Sequence, residues 1–156
     1  MVKVLCQVSL LFCSLSQGLS MGQVPDLSGM WRLNVQKSSW GSVRKPISVM
    51  LDVLHREPQF EYSGTVVYAN EDSRDFAFKG AIDGKPHSMT RSFGTGSITI
   101  QRVNARTFDS VFRTEDGNYV ENSRTTLSAD GKSITRVLRV KTPAEERSWT
   151  EVYERR

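Results

Sequence analysis

The sequence predicts an all-β fold, an antiparallel up-and-down β-barrel of eight to ten strands, and three observations carry that prediction. From Leu27 onward no window sustains a 3.6-residue apolar period. Period-two alternation recurs in short runs, and those runs are separated by regularly spaced turn signals. The candidate strands are 27–34, 47–56, 59–69, 74–82, 86–92, 97–103, 106–115, 119–127, 133–141 and 146–154.

The connections define how these strands meet. Asp83-Gly84, Asp116-Gly117 and Asp130-Gly131 supply the positive-φ positions that tight hairpins require. Glu57-Pro58, Asn70 to Ser73, Gly94 to Gly96, Asn104-Ala105 and Thr142 to Glu145 supply the others, and none leaves room for a crossover helix. Each strand therefore pairs with the next. A meander of this length with one apolar face must split into two sheets or curl until its ends meet. Gly64, in mid-strand, marks a bend that helps the sheet curl. The longest loop, 35–46, carries Trp40, which either folds over one mouth as a lid or is pinned against the outer wall.

Residues 1–22 differ from the rest: Lys3 is their one charge, and an apolar stretch runs from Val4 through Leu15 to Leu19. A basic start, a short apolar region and small residues Ser20 and Gly22 at the −3 and −1 positions predict a secretory signal peptide cleaved before Gln23. The expected organisation is thus a signal peptide, 1–22, and one barrel domain, 23–156, exported to the periplasm or the extracellular space. Both cysteines, Cys6 and Cys13, fall in the leader, so the mature chain is expected to have no disulfide and no Cys–metal site. Cys13 follows Phe12 in mid-stretch, which argues against a lipid anchor and so against stable membrane attachment.

Charge excludes little. The chain has 21 Lys and Arg against 17 Asp and Glu. The densest basic runs, Arg44-Lys45 and Arg155-Arg156, lack the interleaved aromatics of a base-stacking surface, which argues against nucleic-acid binding. No pattern in the sequence specifies an oligomeric state.

The segment Leu27-Ser28-Gly29-Met30-Trp31-Arg32-Leu33-Asn34 resembles the Gly-x-Trp first-strand signature of the calycins. Lys37-Ser38 with Trp40-Gly41, and the hairpin from Leu127 to Ile134, resemble features of small exported bacterial lipocalin-like proteins, most of which lack an assigned function. The resemblance implies a lipocalin-like barrel. The end of the chain, from Trp149 to Arg155, is similar to the last strand of intracellular fatty-acid-binding proteins, where Arg-x-Tyr faces the ligand carboxylate. Tyr153 matches that tyrosine, but Glu151 stands where the arginine would be, so the carboxylate clamp is absent. Loop 35–46 is also too short for the helical pair that caps those proteins.

The last hairpin can be given a register. A four-residue loop, Thr142 to Glu145, sets Lys141 opposite Glu146, and therefore Leu138 opposite Trp149, Arg136 opposite Glu151 and Ile134 opposite Tyr153. The apolar partners mark that side as interior, and Ser123, Thr125 and Leu127 share it from the neighbouring strand. Arg136 and Glu151 then point inward between apolar rungs, where neither charge survives unpaired. A cross-strand ion pair near the mouth and a polar anchor for a ligand head group both fit. The other half of the barrel is apolar, with Phe60, Tyr62, Val66, Tyr68, Phe76, Phe78, Ile82, Phe108 and Phe112 facing in. The candidate ligand-binding residues are Arg136, Glu151, Tyr153, Trp149, Thr125, Tyr62, Phe76 and Phe112.

Catalytic motifs are scarce. His55 and His87 read as ordinary surface or turn residues; one His could hold haem iron, as in some related barrels, but no spacing signals a second ligand. No nucleophile elbow, phosphate loop or dinucleotide fingerprint occurs, and no cofactor or metal is expected. Glu151 beside Tyr153 and Arg136 is the one constellation with acid–base potential.

Three functions follow. The first is a protein binding a small hydrophobic or amphipathic molecule in the barrel, which requires a cavity and is excluded by a lumen packed shut with Phe60, Phe76, Phe112 and Trp149. The second is a secreted or envelope interaction or inhibitor module with a filled barrel and an exposed Trp40. The third is an isomerase or lyase using the lumen acids.

Overall fold

The computed structural model describes residues 24–70 and 72–156. The leader expectation, with Cys6 and Cys13, lies outside the described residues. The strands are β1 (Gly29–Leu33), β2 (Ser48–Arg56), β3 (Gln59–Val67), β4 (Ser73–Ala81), β5 (Pro86–Arg91), β6 (Gly94–Asn104), β7 (Thr107–Thr114), β8 (Val120–Leu127), β9 (Ser133–Lys141) and β10 (Glu146–Arg155). Every neighbouring pair is antiparallel, and β1 pairs with both β2 and β10, so the meander closes on itself. This ten-stranded closed barrel has the predicted architecture and is compatible with the calycin likeness.

The predicted register of the last hairpin is the observed one: Leu138 lies opposite Trp149, Arg136 opposite Glu151 and Ile134 opposite Tyr153. The turn chemistry explains it, since the Thr142 N–H donates to the Glu145 carbonyl at 2.9 Å. Most predicted boundaries shift by one or two residues, and the start of one strand by three. β1 begins at Gly29 rather than Leu27, whose side chain is buried. β6 begins at Gly94, because the hairpin turns at Ser92-Phe93 and Gly94 takes a φ of 142° that only glycine adopts readily.

Alternation decides which side chains face in. The inward row runs without a break from Trp31 to Leu51, Gly64, Phe76 and Arg91, each directly opposite the next on the neighbouring strand. Gly64 belongs to this row for a steric reason. A Cβ there would lie 2.6 Å from both the Phe76 ring and the Met50 carbonyl oxygen, so the aromatic ring of β4 occupies the space that β3 leaves empty.

One end of the barrel is packed shut. Leu27, Trp31, Phe60, Ile82, Phe108, Leu127 and Ile134 are all buried there, with Phe60 and Phe108 rings 5.7 Å apart. Trp31 has no exposed surface; its indole N–H donates to the Leu27 carbonyl at 2.9 Å, and the Arg155 guanidinium lies 4.3 Å over its ring. His55 corrects the expectation of a surface or turn histidine: it faces inward after Val49, Leu51 and Val53 and is buried. Its Nδ1 accepts from the Leu27 N–H at 3.3 Å and its Nε2 lies 2.6 Å from Glu57, which Arg102 holds from the other side. His87, at the same end, is 2.9 Å from Asp83.

Candidate functional site: a polar cluster in an open lumen

The other end is not filled. A cavity of about 500 Å³ opens there, walled on one side by Val49, Tyr62, Val66, Phe76 and Met89 and on the other by Leu138, Val140 and a cluster of charged residues. Its size falls within the usual range for small-molecule sites. The 34–47 segment runs along this mouth, tied to β10 by paired backbone bonds between Ser39 and Thr150 at 2.9 and 2.8 Å. Trp40 packs against the core and lines the cavity, as the lid alternative requires. Its indole N–H is buried and has no partner among the described residues.

Six of the eight sequence-predicted site residues, Arg136, Glu151, Tyr153, Trp149, Tyr62 and Phe76, line this one cavity. Thr125 is buried opposite Arg136, one strand away, and does not reach the cavity. Phe112 is buried beneath Arg91, whose guanidinium lies 4.0 Å over its ring.

Glu151 is the better connected half of its predicted pair. It accepts from Arg136 Nη1 at 3.2 Å, from the Trp149 indole at 2.8 Å and from the Tyr153 hydroxyl at 2.9 Å. A second carboxylate that sequence reasoning missed, Glu121, repeats the pattern. Arg91 donates to both its oxygens, at 2.8 and 2.9 Å, and the Tyr119 hydroxyl donates at 3.0 Å. Arg136 Nη2 lies 3.8 Å from Glu121 and links the halves into one row, Arg91, Glu121, Arg136, Glu151. The four formal charges cancel.

Burial and partners act in opposite directions on these groups. Burial disfavours a charged Glu121, but Arg91 and then Arg136 overcome it and hold the carboxyl below its ordinary range. Burial, reinforced by the neighbouring glutamates, pushes the Tyr119 and Tyr153 phenols well up, so both remain hydrogen-bond donors. Arg136 is enclosed by the barrel wall yet keeps 23% of its side-chain surface accessible, because that surface faces the hollow.

The missed residues carried a signal. Glu121 precedes Ser123, Thr125 and Leu127 at spacing two, and Arg91 follows His87 and Met89 likewise, so alternation alone turns both inward. Further down the polar wall, Ser110 and Ser123 satisfy each other at 2.7 Å. Among the described residues no three His, Cys, Asp or Glu side chains are grouped as a metal site. No protein-family model matches the chain, and no curated protein is found to be similar to it.

Proposed function

We propose that the protein is a calycin-like binding protein that holds one small, mostly apolar molecule in its lumen, with the Arg136, Glu151 and Tyr153 cluster orienting a polar end. The observation that carries this reading is the cavity of about 500 Å³ bounded by an aromatic wall on one side and a hydrogen-bonded charge cluster on the other. A barrel stabilised by its core alone has no need to hold four charged side chains against a hollow, since buried ion pairs are weak contributors to stability.

The two other readings find less support. An interaction module called for a filled barrel and an exposed Trp40, whereas Trp40 is half-buried and faces a cavity. An acid–base enzyme needs a carboxylate free to exchange a proton, and both lumen glutamates already accept three hydrogen bonds. The leader-like pattern of residues 1–22 supports export to the periplasm or beyond, where such a carrier would meet its cargo. Native mass spectrometry of the protein isolated from its own compartment tests the reading: a stoichiometric small-molecule adduct is expected. A chain at its own mass that also fails to take up any apolar probe would overturn it.

A further inference from the structure

The hydrogen-bonding capacity left open in the lumen is lopsided. Each lumen glutamate has three of its roughly four acceptor sites filled. Arg136, in contrast, meets Glu151 at 3.2 Å and the Tyr153 hydroxyl, with Glu121 3.8 Å away, and of its five N–H groups some are still left over while its surface faces the cavity. The Trp40 indole N–H and the Arg91 Nε–H also lack partners among the described residues, but both atoms are closed off from the hollow and neither is open to an occupant. The Tyr62 hydroxyl reaches nothing better than the Met89 sulfur at 3.7 Å. The surplus is in donors, so the occupant must bring acceptors.

The charge balance decides what kind of acceptor. Arg91 and Arg136 are already neutralised by Glu121 and Glu151, and the cations at the mouth are engaged as well. Arg44 and Arg74 share Asp72, at 3.1 and 3.5 Å, with Asp75 as a further carboxylate in the cavity lining, and Arg147 meets Glu145 at 3.3 Å. A carboxylate approaching Arg136 would share one guanidinium with Glu151 and face Glu121 next to it, two charges of its own sign. A neutral carbonyl oxygen accepts from the same N–H groups with no such repulsion.

Resting on the lumen-binding reading above, we infer that the polar end of the cargo is an uncharged carbonyl acceptor, of the ketone, ester or lactone kind, seated on the free N–H groups of Arg136, and that Glu151 excludes free carboxylates. Glu151, which in sequence stands where a clamp would need an arginine, is thereby a specificity-determining residue.

Three probes of one shape separate the possibilities: 2-acetonaphthone, 2-naphthoate and 2-isopropylnaphthalene, each competed against the neutral dye N-phenyl-1-naphthylamine. In the native protein the ketone is expected to bind at least about tenfold more tightly than the carboxylate, from like-charge repulsion at an intermediate effective dielectric. It is also expected to exceed the hydrocarbon by about tenfold, from a hydrogen bond to a charged donor. Glu151→Gln should raise naphthoate affinity relative to that of the hydrocarbon by at least about tenfold. Naphthoate binding as tightly as the ketone in the native protein, or the hydrocarbon doing so, overturns the inference and leaves the lumen reading standing. That comparison decides the matter whether or not the variant folds. Failure of the dye and all three probes to bind overturns the lumen reading itself.

Discussion

Arg91 on β5 grips Glu121 on β8 through both carboxylate oxygens, at 2.8 and 2.9 Å, although two strands separate them in the wall. The pair is 12% and 7% exposed, and its guanidinium lies over the Phe112 ring. Removing one partner leaves the other charge buried and unmatched, so Glu121→Ala is expected to cost about 3–5 kcal/mol. Replacing both partners, with Arg91→Met and Glu121→Leu together, is expected to recover most of that loss, because two apolar side chains leave no charge to desolvate. Urea unfolding of the single and double variants measures both effects.

The same carboxylate sets an acid limit on stability. Its folded pKa lies below the ordinary value of 4.5, because Arg91, Arg136 and the Tyr119 hydroxyl favour the charged form over the opposing effect of burial. The unfolded chain therefore takes up a proton at higher pH than the folded one. The stabilisation is fully present above about pH 4.5 and is lost as pH falls through the depressed folded value. Between pH 6 and pH 3, Glu121→Gln is expected to lose less unfolding free energy than the native protein. An identical loss in the two proteins would remove Glu121 from the explanation.

At the closed end, Arg155 couples the last strand to the first. It lies 4.3 Å over Trp31 and donates to the carbonyls of Ser28, Asp26 and Gly131 at 2.6, 2.9 and 3.1 Å. Trp31→Ala is expected to cost about 3–5 kcal/mol as a deletion of a fully buried aromatic. Arg155→Lys is expected to keep the charge and still destabilise, since an ammonium cannot reproduce three N–H bonds fanned from one plane. Thermal unfolding of the two variants provides the check, and an Arg155→Lys protein as stable as the native one would assign that corner to charge alone.

Local chemistry explains how much of this was legible in the sequence. Ten strands and the register around Arg136 and Glu151 follow from period-two alternation and a four-residue turn, both of which act over a few residues. The Arg91–Glu121 contact was not legible as a pair. Each residue's inward direction is local information, but their meeting depends on the curvature of four successive strands, and 30 positions separate them. Thr125 shows the same limit in reverse: alternation turned it inward correctly, yet Arg136 opposite it is long enough to reach the cavity and a threonine is not. The inward direction of His55 is carried by its parity with Val49, Leu51 and Val53, whereas the lack of a second ligand at metal spacing, on which its surface reading rests, says nothing about which way it faces.

The central claim is that the lumen beside Arg136 and Glu151 is a binding site. Val66 faces this lumen opposite Val49, so Val66→Trp fills it from the apolar wall without touching the charge cluster. Fluorescence titration with N-phenyl-1-naphthylamine is the most direct measurement. The expected result is saturable binding of one dye per native chain, lost in a Val66→Trp protein that still unfolds cooperatively. Undiminished binding by that variant, or no saturable binding by the native protein, would contradict the claim.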